Sequence, residues 1–276
     1  FFTFLTFYSA YFDKVKDCGC FGDAMPLTPW QSFYKDAVLL GLILILFFNR
    51  KLITPILAVA SHRWIIFLSF MLCLMFAYYV LMHLPLIDFR AYKVGNNLIE
   101  EMQIPENAEK ASYEYSWKFN KNGEEVIVKN SGAYPNVEGE YVSVETVMIS
   151  EGFKPRIPDF SILKNDINIT QEILSKDKLL LIVAYNLRKT ETEGFTAIKT
   201  LSEDALKKGY TVVGLTASGD NLQKEIIEKY SLNFDFYQSD ETVLKTIVRA
   251  NPGILVLNSA TVTQKKHWGD AAEIEL

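Results

Sequence analysis

From Trp64 to Ile87 the chain runs for about 24 residues without an Asp, Glu, Lys or Arg. Wound as a helix, such a run is roughly 36 Å long, enough to cross the hydrocarbon core of a bilayer. In hydrocarbon a backbone must satisfy its own hydrogen bonds, so the run is constrained to a helix. Its one cysteine is Cys73 and its one histidine is His83.

A second span precedes it. Ala37 to Phe48 is apolar but too short to cross alone. Its start lies further back, at Thr28-Pro29-Trp30-Gln31. That tetrapeptide reads as an N-cap, a proline at the first helical position and a capping-box Gln. A helix from Pro29 to about Asn49 is roughly 30 Å long. It carries Lys35 and Asp36 about two turns in, where charges are expected at the interface or inside a bundle. The apolar run Phe1 to Phe12 opens the chain, and further membrane helices are expected upstream of it.

Charge divides the molecule. Through Arg90 there are seven Lys/Arg and five Asp/Glu, a net +2, and the remainder carries −7. An acidic C-terminal part argues against a nucleic-acid partner. The loop from Asn49 to Arg63 holds Arg50, Lys51 and Arg63 and no acid, which favours the cytoplasmic side. Two crossings then put the loop before Thr28 and the C-terminal part together on the opposite, disulfide-permissive side.

Beyond Arg90 the sequence changes character twice. Residues 88–110 read as a linker: Asp88-Phe89-Arg90, then Gly95-Asn96-Asn97, then Pro105. Tyr113, Tyr115, Trp117 and Phe119 alternate with polar residues, Asn122-Gly123 is a hairpin turn signal, and Glu125 to Val128 can return. Tyr141 to Ile149 reads as another strand. From Ile157 strands alternate with helices: strands at Leu179–Tyr185, Thr211–Leu215 and Ile254–Leu257, helices at Gly194–Lys208, Leu222–Tyr230 and Thr242–Arg249. That alternation predicts an α/β unit on a mostly parallel sheet. The fold class is therefore multi-domain: an α-helical transmembrane bundle over 1–90, a linker and small β-rich segment over 91–156, and an α/β domain over 157–276.

The chemistry-bearing motif is Cys18-Gly19-Cys20-Phe21-Gly22, in the polar loop before the first long span. A disulfide across one residue closes a very small ring, and strained disulfides are more reducible and more oxidising. Gly19 permits the tight geometry. Lys14 and Lys16 favour thiolate, while Asp13, Asp17 and Asp23 oppose it. Three readings stay open: a redox pair, a structural clip, or two ligands of a metal. Zinc needs four ligands and no further His or Cys lies nearby in sequence, so no metal is expected. Cys73 reads as a small buried hydrophobe. His83, near the outer end of the last span, is either a base for a thiol or an interfacial residue. Asp36 pairs with Lys35 or with a helix upstream of Phe1, Trp30 suits an interfacial anchor, and Asn168-Ile169-Thr170 matches a glycosylation sequon.

Pro158-Asp159-Phe160, the strands at Leu179–Tyr185 and Val212–Leu215, Asn251-Pro252, and Trp268-Gly269 together resemble thioredoxin-like domains of TlpA type. The resemblance implies a cis proline at Pro252 and client docking at Asn251 and Pro252. It also implies a CxxC after the first core strand, but the matching stretch Asn186 to Glu193 contains no cysteine. The membrane half resembles the DoxX-like superfamily, in particular its MauE-type branch. Those small helical bundles carry a C-x-C-F-G loop, then a Trp, then an acid entering the next helix, matched here by Cys18, Cys20, Phe21, Gly22, Trp30 and Asp36. With Asp88-Phe89-Arg90 and the cysteine-less domain, the whole chain resembles fused DoxX-like proteins of Bacteroidota. The resemblance implies an inner-membrane protein supporting periplasmic thiol–disulfide exchange. Cys18 and Cys20 would be the catalytic pair, His83 and Asp36 helpers, and the silent domain a client holder. A non-enzymatic membrane scaffold is the alternative. The expected partners are the lipid bilayer and a periplasmic or membrane protein. No cofactor is expected, a quinone entering only through helices upstream of Phe1.

Overall fold

The computed structural model describes residues 1–12, 25, 27–54, 58–121, 124–137, 139–150 and 152–276. Three helices come first: α1 (Phe2–Tyr11), α2 (Pro29–Phe48) and α3 (Val59–Met82). The capping box closes α2 as its sequence demands. Thr28 Oγ1 accepts from the Gln31 N–H at 3.3 Å, and Gln31 Oε1 accepts from the Thr28 N–H at 3.0 Å. Two otherwise orphaned donors are satisfied, a contribution of about 1 kcal/mol. α1 packs against α2, with the Phe7 and Phe33 rings 5.3 Å apart. No comparable packing joins α3 to either helix among the described residues.

Both α2 and α3 are long and apolar enough to cross a membrane, and the window Ser61–Met82 of α3 has a mean hydropathy of 2.4 with none of it buried. The expected span Trp64–Ile87 is shifted. The helix starts five residues earlier, at Val59, and ends at Met82. Pro85 drives the residue before it out of the α region, so the last turn cannot extend to Ile87. His83 is therefore a C-cap in extended conformation rather than a residue within the span.

Strands β1 (Ser112–Lys121), β2 (Glu124–Asn130) and β3 (Glu140–Ser150) follow a five-residue helix α4 (Leu98–Met102). They form an antiparallel sheet in the order β2-β1-β3. Lys121 opposes Glu124, and Asn122-Gly123, expected as the hairpin turn, lie outside the described residues. Trp117 opposes Val128 and Val144, and Phe119 opposes Val126 and Tyr141, so these side chains share one face. Tyr134 lies across that face, 5.1 Å from Trp117 and 5.9 Å from Phe119. Lys118–Glu145 and Lys129–Glu114 ion pairs belong to the opposite face.

The second sheet is built from β4 (Leu163–Lys164), β5 (Ile167–Asn168), β6 (Leu179–Val183), β7 (Thr211–Thr216), β8 (Phe236–Gln238), β9 (Gly253–Asn258) and β10 (Thr261–His267). Its order is β10-β9-β6-β7-β8-β4-β5. Short helix α5 (Thr170–Leu174) follows β5, and helices α6 (Thr192–Lys207), α7 (Asp220–Tyr230) and α8 (Glu241–Ile247) alternate with the later strands. The sheet is mixed, correcting the expectation of a mostly parallel one. Only β6/β7 and β7/β8 are parallel. β9 runs antiparallel to both β6 and β10, and β4 antiparallel to both β5 and β8. Two of these antiparallel pairs, β4/β5 and β9/β10, are hairpins. Asn165-Asp166 and Ser259-Ala260 all take positive φ, which turns each chain back within two residues. Gly209, with φ 79°, ends the α6 segment where the sequence placed its stop.

Alternate residues of the central strands enter two apolar layers. Leu179, Leu181, Val183, Leu215, Leu255 and Leu257 pack with Leu244 and Ile247 of α8. Leu180, Ile182, Ile254 and Val256 pack with Phe195, Ile198 and Leu201 of α6 and Ile226 of α7. Coverage of both faces explains why these strands read as unbroken apolar runs.

The segment expected to be a linker is in fact part of this unit. Tyr92 and Leu98 lie in the first layer. Gly95 N–H donates to Val262 O (2.8 Å), Leu98 N–H to Ala260 O (2.9 Å) and Val262 N–H to Asn96 O (3.0 Å). The chain from Gly95 to Leu98 thus covers the edge beside β10. The division at residue 91 accordingly cuts through a packed element. Its glycine and asparagines are turn residues between two buried anchors, not a flexible tether.

Asp88-Phe89-Arg90 fixes the start of that element. Lys265 Nζ donates to Asp88 Oδ2 at 2.6 Å and to Tyr92 O at 3.2 Å. Arg90 Nη1 donates to the last-turn carbonyls Lys245 O (2.8 Å) and Thr246 O (2.7 Å) of α8, where a cation also meets the helix dipole favourably. Burial raises the Asp88 pKa, but the Lys265 ammonium, the Arg90 N–H and their charges outweigh it and hold the carboxyl below the usual range. Burial in turn pulls Lys265 below the lysine range, against the opposing pull of Asp88. Asp88→Asn is expected to strand a nearly buried ammonium and lower the stability of the α/β unit by about 2 kcal/mol, with Asp88→Asn/Lys265→Met recovering most of the loss. Thermal denaturation of the full chain in detergent, read as a double-mutant cycle, checks this.

Candidate functional site

The residues Cys18, Gly19, Cys20, Phe21 and Gly22 lie outside the described residues, as do Lys14, Lys16 and the acids between Asp13 and Asp23. Two other motif residues are placed. Trp30 occupies the first turn of α2, its ring 6.0 Å from Phe33 and 6.1 Å from Tyr34. Asp36 bridges α1 and α2: Oδ2 accepts from Thr6 Oγ1 at 3.2 Å, and Oδ1 pairs with Lys35 Nζ at 3.1 Å. The carboxylate is thus held between two helices. Cys73 is a free cysteine on the outer flank of the apolar helix α3.

On the α/β unit, the C-terminal ends of β6 and β7 open a surface groove of about 600 Å³ lined by Tyr185, Asn186, Arg188, Ser218, Asp220 and Glu241. Loops at the carboxyl ends of parallel strands are the usual place for a ligand on an open α/β sheet. Here the loop is built from asparagine and hydroxyl groups. Asn186 Oδ1 caps a single 3-10 turn, accepting from the Arg188 N–H at 3.1 Å. Asn186 O accepts from Thr190 Oγ1 (3.0 Å) and from Asn251 Nδ2 (2.9 Å), and the Leu187 N–H donates to Ser218 Oγ (3.0 Å). Asn251 Oδ1 is buried with no hydrogen-bond partner among the described residues.

The Asn251–Pro252 peptide bond is cis. Pro252 faces the first turn of α6. A Cβ added to Gly194 would sit 2.7 Å from Pro252 Cδ and 3.4 Å from Trp268 Cδ2. Glycine is therefore required where α6 begins, and helix, proline and indole close on one another. No thiol stands on this face: residues 186–193 have hydroxyl, amide, acidic and basic side chains besides Leu187.

The same face abuts the end of α3. His83 Nδ1 lies 2.7 Å from Asp270 Oδ1, and the His83 and Tyr79 rings are 4.6 Å apart. Asp270 belongs to the 3-10 turn Trp268–Glu273, which packs on α6. His267 caps that turn, its Nδ1 accepting from the Gly269 N–H at 3.0 Å. That bond requires Nδ1 to be unprotonated, so the ring is neutral with its proton on Nε2. Burial holds the His267 pKa below the histidine range. Asp270 and Glu191 oppose this, and His83 reinforces it. Sequence reasoning proposed His83 as a base for a thiol or as an interfacial residue. Its ring is engaged by Asp270, which fixes the orientation of the imidazole, and no nucleophile stands beside it among the described residues. His267 and Asp270 escaped notice because neither stands in a motif; only the 3-10 turn brings them together.

No protein-family model matches the chain, and no curated protein matches it in sequence. Among solved structures, a cysteine-to-serine mutant of PrxQ from Xylella fastidiosa is similar over 42% of this chain and 83% of its own length, at 12% identity and a TM-score of 0.31. A likeness that slight assigns no activity.

A histidine held below its unfolded pKa contributes stability above about pH 6.5, and that contribution is lost as the pH falls through the folded value, because the unfolded chain then binds the extra proton. His267→Asn keeps an acceptor for the Gly269 N–H and removes the titration. Wild type is expected to lose melting temperature between pH 7.5 and pH 5 more steeply than His267→Asn, at about the same melting temperature near pH 8. Thermal scans across that range check it.

Proposed function

We propose that the chain is a membrane-anchored component of thiol–disulfide exchange, in which Cys18 and Cys20 carry the disulfide and a thioredoxin-like α/β unit without thiols holds the client. The observation that supports it is the pair of apolar helices between the cysteine loop and the α/β unit. If α2 and α3 both cross, the loop before Thr28 and the unit after Met82 share one side of the membrane. The cis-Pro252 face with Asn251, Gly194 and Trp268 abuts the end of α3, so a client docked there is presented at the membrane surface. In the exchange, a client thiolate attacks one sulfur of the Cys18–Cys20 disulfide and forms a mixed disulfide. A second client thiol displaces it, leaving an oxidised client and two reduced cysteines. A separate oxidant must then remove two electrons and two protons from the pair. In this reading the protein lies in a bacterial inner membrane with loop and α/β unit periplasmic, in the manner of the MauE-type proteins it resembles.

A non-enzymatic scaffold is the second reading. The β2-β1-β3 sheet favours it, because β3 leaves Tyr141, Val142, Val147, Met148 and Ile149 exposed along an outer strand, and exposed apolar strands invite a partner.

Maleimide trapping in intact membranes separates the two. Exchange predicts that Cys18 and Cys20 shift together between protected and reactive states on treatment with oxidant and reductant, with Cys73 reporting independently as an internal control. It also predicts that Cys18→Ser/Cys20→Ser accumulates reduced client. A pair locked in one state, with the double mutant indistinguishable from wild type, leaves the scaffold.

A further inference from the structure

Directly after α3 lies a cleft of about 710 Å³ between residues 84–94 and the end of α8. Its walls combine two chemistries. Leu86, Ile87, Phe89 and Val94 are exposed apolar side chains at its rim, Leu86 by 73% and Ile87 by 67%. Arg90, Lys93, Arg249 and Lys265 bring four positive charges, and Asp88 is the one acid among the lining residues. Asp88 is already neutralised by Lys265 at 2.6 Å. Arg90 is engaged with the carbonyls of α8 but keeps its charge. Neither Lys93 nor Arg249 has a carboxylate partner among the described residues. The cleft therefore carries a surplus of about three positive charges beside an apolar lip, within five residues of the end of an apolar helix.

We infer that this cleft binds an anionic phospholipid of the surrounding bilayer, its headgroup phosphate between Lys93 and Arg249 and its acyl chains along Leu86, Ile87 and Phe89. The inference rests on the reading that α2 and α3 span a membrane. Two observations select this occupant. The charge calls for an anion. The exposed apolar rim, continuous with α3, calls for an amphiphile that arrives from the hydrocarbon side. A free phosphate satisfies only the first. An acidic protein segment leaves Leu86 and Ile87 uncovered at the depth where the helix leaves the bilayer. Basic side chains beside a membrane attract anionic headgroups, each with an effect of about fivefold in binding. Interfacial apolar residues next to them add anchoring. Functionally, such a lipid would brace the Asp88–Arg90 strap and fix how the α/β unit stands on the membrane.

The test uses the full chain in nanodiscs of phosphatidylcholine doped with phosphatidylglycerol, with lipids retained after gentle ejection counted by native mass spectrometry. Wild type is expected to retain phosphatidylglycerol in preference to phosphatidylcholine. Lys93→Gln/Arg249→Gln should lose that preference by about 25-fold, fivefold per charge, and Lys93→Arg/Arg249→Lys should keep it. Equal retention by wild type and the double Gln variant overturns the inference, as does a wild type indifferent to headgroup charge. Displacement of the retained lipid by inorganic phosphate alone makes the cleft a phosphate site and also overturns it. A chain that stays in solution without detergent or lipid overturns the membrane reading itself, an outcome visible before any lipid is counted.

Discussion

The Asp88–Lys265 ion pair is the contact on which the relation between helix and α/β unit depends. Asp88 lies six residues past the end of α3, and Lys265 lies on β10. Their 2.6 Å contact, with a Lys265 side chain only 6% exposed, pins the exit of the apolar helix to the edge of the seven-stranded sheet. A buried ion pair contributes little net stability against an apolar replacement, but it is costly to break on one side. Its value here is positional. Arg90 donates to α8, and Tyr92 and Leu98 enter the core, so the chain is anchored at four points between Asp88 and Leu98. His83 on Asp270 adds a second attachment on the other side of the same helix end.

That double attachment accounts for the orientation of the cis-proline face. The 3-10 turn Trp268–Glu273 sits between α6 and the end of α3. It presents Trp268 to Gly194 and Asp270 to His83. The helix end and the α6 N-terminus thus share one small structural element. A change in the protonation of His267 would act on this turn first, and through it on Pro252.

Elements with a strong local signal were legible in the chain. The Thr28–Gln31 capping box placed the α2 start at the right residue, and Gly209 marked the end of the α6 segment. The aromatic alternation from Tyr113 to Phe119 gave β1 with its correct faces. What escaped were elements made by tertiary contact. β4 and β5 are two residues each and have no periodicity to read. β10 follows a Ser259-Ala260 turn, in which neither residue advertises positive φ. The 88–110 stretch looked like a tether because turn residues punctuate it, while its anchors find distant partners, Tyr92 at Phe160 and Lys265 and Leu98 at Ala260. For the site, the lack of cysteine between Asn186 and Glu193 was plain in the sequence, but the His267–Asp270–His83 constellation depends on the end of α3 meeting the turn Trp268–Glu273.

The loop from Asn186 to Glu193 carries no thiol. Asn186 uses its carbonyl on Thr190 and Asn251, and its amide oxygen on the Leu187–Lys189 turn. The loop is therefore braced by hydroxyl and amide groups rather than left open for a nucleophile. A braced loop beside a polar groove and a fixed proline suits recognition of an extended chain, where backbone groups and shape matter more than reactivity. In the exchange reading proposed above, the chemistry falls to Cys18 and Cys20. The rigid Asp88–Arg90 strap then matters doubly, because a holder and a reactive pair on separate segments can cooperate only if the distance between them is set by structure.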